Sequence, residues 1–192
     1  MRLPAGLLLL IFAAPFFRDV TCPALAQDGT GGKKDGGAKA GGGDAGKPPE
    51  RRRLVEGDEV KDLTLELVEG GSWTVAAARG KVVVLVFAGD WSAESLEALK
   101  RLANPRGKVL AAGAGALGIL RDCGAEKARK TARDQGLTGA LAVDPKRKAY
   151  DLLARSGLPY TVVIDRAGKI ALSAGGFDED AVAKKVEALL KP

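Results

Sequence analysis

Residues 81–88, KVVVLVFA, constrain the fold of this chain more than any other stretch. After Lys81 no polar side chain interrupts the run, and β-branched residues dominate it. It is too short for a long buried helix and apolar on both of its faces. That pattern belongs to a central strand covered by helices on each side of a sheet. A helix start follows at once. Ser92 suits the N-cap, Ser95 lies in the first turn, and Leu96, Leu99 and Leu102 recur at helical spacing.

The flanking sequence repeats the alternation of strand and helix. DLTLELVEGGSWTV contains two short alternating segments around Glu69-Gly70-Gly71, a hairpin signal, and AAARGK is a one-turn connector. GALGIL reads as a second buried strand and GAEKARKTARDQG as a polar helix that stops at Gly136. ALAVD is short and extended. PKRKAYDLLARSG reads as a helix with Tyr150, Leu153 and Ala154 on one face and a glycine stop. LPYTVVID and KIALSA form a hairpin turned by Asp165-Arg166-Ala167-Gly168, and DEDAVAKKVEALL closes the chain as an amphipathic helix with acids in its first turn. The expectation is an α/β domain over residues 54–192, a central mixed sheet flanked by helices with an N-terminal β-hairpin extension.

The first 53 residues read differently. MRLPAGLLLLIFAAPFF is apolar but shorter than the roughly 18–20 residues that span a bilayer. Ala24-Leu25-Ala26 then matches a cleavage site, so residues 1–26 read as a secretory signal peptide. An uncleaved anchor is the other reading; lipidation at Cys22 fits poorly after Asp19-Val20-Thr21. Residues 27–53 are rich in Gly, Lys and Asp and nearly free of large apolar side chains, so they read as a disordered linker ending in Arg51-Arg52-Arg53. The expected location is outside the cytoplasm, in the periplasm or cell envelope or beyond the cell, with no transmembrane segment after cleavage.

Composition removes several kinds of chemistry. There is no histidine, so neither a Ser-His-Asp nor a Cys-His pair can form, and no His-ligated metal site either. The two cysteines, Cys22 and Cys123, cannot build a four-thiolate metal centre. Cleavage after Ala26 would leave Cys123 alone, without an intramolecular disulfide. The formal charge of +6 is concentrated before the domain: residues 54–192 carry 21 basic and 19 acidic side chains. That balance argues against a nucleic-acid face. No cofactor and no metal is implied, and the oligomeric state is open.

GDEVKDLTLEL, GSWTV, ARGKVVVLVFAGDW and GLPYTVVIDRAGKI, in this order and spacing, resemble the thioredoxin-like redoxins. Those include the TlpA/ResA-type envelope thioredoxins and the AhpC/TSA peroxiredoxin group. The resemblance covers roughly residues 56–190. It implies a thioredoxin-like fold in which Pro159 is cis and faces the active-site helix start. It also implies a Cys-x-x-Cys dithiol, yet Ser92 and Ser95 stand in both places. A serine hydroxyl forms no disulfide and is a poor nucleophile without a base. Val86 stands where thioredoxins bury an acid. A peroxiredoxin's peroxidatic cysteine, expected near Ser95, is absent as well.

Three readings follow. One is a redox-inactive module that binds a protein or peptide in a groove at Trp91, Pro159 and Tyr160. Another is a thiol-disulfide oxidoreductase or peroxidase using Cys123, expected on the same edge of the sheet, near a helix N-terminus and Arg121. The last is a structural domain without ligand, in which Trp91 and Trp73 are core packing.

Overall fold

The computed structural model describes residues 52–191; the expected signal peptide, 1–26, and almost all of the expected linker, 27–53, lie outside the described residues. A seven-stranded sheet has the order β2-β1-β5-β4-β3-β6-β7. Its strands are β1 (Thr64–Leu67), β2 (Ser72–Thr74), β3 (Val83–Ala88), β4 (Gly115–Arg121), β5 (Leu141–Asp144), β6 (Tyr160–Ile164) and β7 (Ile170–Gly175). β3, β4 and β5 run parallel and β1, β2, β6 and β7 pair antiparallel, so the sheet is mixed, as the sequence predicts. The helices are α1 (Val75–Ala78), α2 (Ala93–Leu102), α3 (Lys108–Ala111), α4 (Ala125–Gln135), α5 (Lys148–Leu153) and α6 (Glu179–Leu190).

Strand alternation sends each face of β3 into a different core. Val83, Leu85 and Phe87 pack with Leu117, Ile119, Val162, Tyr150 and Leu153. Val84, Val86 and Ala88 pack with Leu99, Leu102 and Ala128 of α2 and α4 and with Val182 and Val186 of α6. Every residue of β3 is buried, which is why its sequence shows no alternation. Val86, to which the resemblance assigns the place of the thioredoxin acid, is fully buried among apolar groups. Trp73 is 5% exposed opposite Leu65, a core residue of the hairpin.

Two elements depart from the sequence reading. α5 spans only six residues instead of most of PKRKAYDLLARSG. It starts late because Arg147 adopts φ 57°, outside the helical range, and it ends at Leu153 because Ala154 is extended. The carbonyls of its last turn go to the incoming chain: Arg53 Nε donates to Asp151 O at 3.3 Å and Leu54 N to Leu152 O at 2.8 Å. The single turn α3 carries no apolar periodicity beyond Val109, and the sequence reading passed over it.

The outer margin of β7 is occupied. Ile170 exchanges backbone hydrogen bonds with Gly57 and Asp58, and Ser173 N donates to Glu56 Oε1 at 2.9 Å. The opposite margin is the three-residue β2.

Candidate functional site

The parallel strands β3, β4 and β5 all end on one side, and the residues singled out by the sequence gather there. Gly89, Asp90 and Trp91 connect β3 to α2. Ser92 caps α2: its backbone is extended and its Oγ accepts the Ser95 N–H at 3.2 Å. One of the two serine hydroxyls is thus committed to the helix terminus, where it satisfies an N–H with no partner within the helix. Ser95 is fully buried, and its Oγ has no hydrogen-bond partner among the described residues.

Trp91 is 59% exposed, the one large apolar side chain so exposed among the described residues, which removes it from the core. Its ring folds back over the strand end. A Cβ built on Gly89 would lie 2.8 Å from Trp91 Cε2 and 3.1 Å from Leu158 Cδ1. Only a residue without a side chain lets the indole and Leu158 close over this backbone. The Leu158–Pro159 peptide bond is cis, as the resemblance implied. The structure thus places the cis-proline turn beside the β3–α2 connection.

Tyr160 does not line this groove. It is 2% exposed within the first core, and its hydroxyl lies 2.9 Å from Ser173 Oγ. Residue 160 begins β6, which is buried along its whole length, whereas Leu158 precedes the strand and stays partly accessible. Pro159 is itself buried, its carbonyl accepting Gly176 N at 2.8 Å. The accessible wall is Trp91 and Leu158.

Cys123 precedes Gly124, the N-cap of α4. It lies on the expected edge but is only 1% exposed. Burial pushes its thiol pKa up, the Asp90 carboxylate adds to the rise, and Lys127 only partly opposes both. Its S–H reaches Gly124 O at 3.5 Å. Arg121 provides no activation, because its Nε lies 2.8 Å from Asp122 Oδ2 and its charge sits over Trp91 and Tyr150. These surroundings disfavour the thiolate, the reactive form. In a Cys22→Ser background, Cys123 should react with an aromatic disulfide reagent slowly in the native chain and rapidly in guanidinium. Fast native labelling would show an open thiol.

Sequence reasoning missed the groups that frame this edge. Asp90 is almost buried, with Oδ2 on Lys127 Nζ and Oδ1 without a hydrogen bond. Asp144, 4% exposed at the end of β5, accepts Tyr150 N at 2.8 Å and thereby caps α5 from outside it. Burial raises the Asp144 pKa, and the N–H groups of Tyr150, Lys148 and Ala149 resist that rise. A carboxyl whose folded pKa is raised binds protons more readily in the folded chain. Its favourable contribution is complete below the unfolded pKa and is lost as pH rises through the folded pKa. The stability of wild type relative to Asp144→Asn, read as urea midpoints, should therefore improve from pH 7 to pH 4. The opposite trend would mean that the carboxylate is stabilised in place.

A seven-stranded mixed sheet with helices on both faces, a capped helix start after the central strand and a cis-proline turn beside it define a thioredoxin-like domain. The chain belongs to the AhpC/TSA family, whose model matches residues 56–173. No curated protein sequence matches it. Among solved structures, it is 28% identical to a Bacteroides thetaiotaomicron protein assigned as a protein disulfide isomerase. The TM-score is 0.61, over 72% of this chain and 92% of that one. It is 26% identical to a Chlorobium tepidum protein assigned as the thiol:disulfide interchange protein DsbE, TM-score 0.63, over 72% and 99%. The peroxidoxin BcpB of Mycobacterium tuberculosis shares the fold at 22% identity, TM-score 0.57, over 72% and 97%.

Proposed function

We propose that this is an exported, redox-inactive member of its family, a binding or accessory module of the cell envelope that holds a protein or peptide segment against Trp91 and the Leu158–Pro159 turn. The observation that carries this reading is the start of α2. The two positions that a thioredoxin-like reductase fills with thiols carry hydroxyls, and Ser92 uses its own as the helix cap. A capping hydroxyl with no base beside it does not attack a disulfide or a peroxide. The exposed indole is what remains on this edge for recognition, since aromatic side chains bring large contact area at low entropic cost. Export follows from the signal-peptide reading of residues 1–26.

The second reading is a one-cysteine reductase or peroxidase working through Cys123, with Lys127 close enough to favour its thiolate. Burial and Asp90 act against it. The discriminating experiment is insulin reduction and hydrogen peroxide consumption by the chain and by Cys123→Ser. Both proteins should match the buffer control. Turnover that disappears with Cys123→Ser would replace the binding module with the enzyme.

A further inference from the structure

The ends of β4 and β5 carry a group of side chains that the helix start does not account for. Arg121 closes β4 opposite Asp144. Its guanidinium carbon lies 5.4 Å from the centre of the Trp91 ring and 4.6 Å from that of Tyr150. Arg147 lies 5.6 Å from the same Tyr150 ring. Asp122 sits between the two arginines, 2.8 Å from Arg121 Nε and 4.0 Å from Arg147 Nε. Arg147 also approaches Asp151 at 3.7 Å. Both Arg147 distances exceed a hydrogen bond, and pairs this exposed hold weakly. Arg121 thus has one close carboxylate and Arg147 none within hydrogen-bond distance, an excess of positive charge at close range.

The neighbouring turn adds to the imbalance. Lys146, Arg147 and Lys148 are consecutive and exposed, and Lys146 and Lys148 make no ion pair among the described residues. Lys127, on the other flank, is already matched by Asp90. The backbone is also set for this arrangement. Asp122 and Arg147 are the two non-glycine residues with positive φ among the described residues, at 56° and 57°. Both donate their N–H to the Asp144 carbonyl at 3.2 Å. A single acceptor pins two unfavourable conformations so that their side chains meet, and strain of this kind collects where a site is held in advance of its ligand.

We infer that the segment held at Trp91 is acidic: it places a carboxylate on the Arg121–Arg147 pair, with Lys146 and Lys148 at the rim, and an adjacent apolar side chain against the indole. Guanidiniums held over aromatic rings keep terminal N–H groups for a carboxylate, and that geometry selects it over an amide. The inference rests on the binding-module reading and adds the chemistry of the partner to it.

The test is selection of a random peptide display library on the immobilised full chain, followed by affinities of the recovered peptides as synthetic probes. Recovered sequences should pair Asp or Glu with a large apolar residue. Changing that acid to its amide should weaken binding about tenfold. Lys146→Gln combined with Arg147→Met, which changes two exposed side chains, should weaken it similarly and flatten its salt dependence. Trp91→Ala should abolish it. Peptides that need Trp91 but ignore both the acid and the basic turn would overturn the acidic partner and leave the groove standing. If no recovered peptide depends on Trp91, the groove falls as well.

Discussion

A chain carrying Ser92→Cys and Ser95→Cys together should form a disulfide that dithiothreitol opens, and should reduce insulin where the wild type does not. The expectation rests on the helix start. Position 92 is the N-cap and position 95 lies one turn on, so their Cα atoms fall within the roughly 4.4–6.8 Å that a disulfide bridges. A thiolate at position 92 would accept the same N–H that the serine hydroxyl now accepts and would sit at the positive end of α2, which draws its pKa below about 8.5. Activity should be modest. Val86 supplies no buried acid, and the Glu94 and Asp90 carboxylates oppose a second negative charge. Replacing the cap should cost about 1 kcal/mol in the reduced form. A double variant that never closes the 92–95 bridge would show that the two side chains diverge and that the family's dithiol belongs elsewhere in this chain.

Phe87→Ala should be the most damaging single change to the framework of the site. Phe87 is fully buried at the end of β3 and meets Tyr150 edge-on, with ring centres 5.8 Å apart at 82°. Truncation removes its buried surface and leaves a cavity between β3 and α5, a loss of about 3–5 kcal/mol. For a domain of this size that lowers the melting temperature by roughly 10–15 °C. The effect should extend beyond stability. Tyr150 supports both Arg121 and Arg147, so a loosened ring should also release the guanidiniums. Differential scanning calorimetry reads the first effect, and peptide affinity under conditions where the variant is folded reads the second. A loss below about 1 kcal/mol would mean that the neighbouring side chains collapse into the gap.

Much of this architecture is legible in the residues themselves. KVVVLVFA declares a strand covered on both faces, Ser92 declares a cap, and Gly136 declares a stop, adopting φ 62° at the end of α4. Each of these is a local statement that one side chain or one short run can make. The candidate site is legible at Trp91, Ser92 and Ser95, which are neighbours in the chain, and through the resemblance and the strand order at Pro159 and Cys123. The grouping of Arg121 with Tyr150 and Asp144 is not, because only the parallel pairing of β4 with β5 brings them together. Asp122 and Arg147 gave no warning either: positive φ is ordinarily the mark of glycine, and here one shared carbonyl holds it instead. Tyr160 misled for a related reason. Its place after Pro159 suggested the groove, while β6 is covered on both faces and takes it into the core.

The occupied margin of β7 decides how this domain can be approached. An open strand edge invites pairing with any extended chain, including another copy of the same protein. Here the Glu56 carboxylate takes the Ser173 amide, and Gly57 and Asp58 hold both backbone groups of Ile170. At the far margin β2 offers three residues, too few for a lasting ladder. Among the described residues, backbone pairing between copies side by side is therefore blocked at β7 and short at β2. A visitor that adds itself as an eighth strand must first evict Glu56. The proposed recognition needs no open strand: it lies at the end of the sheet where an indole stands clear of the fold.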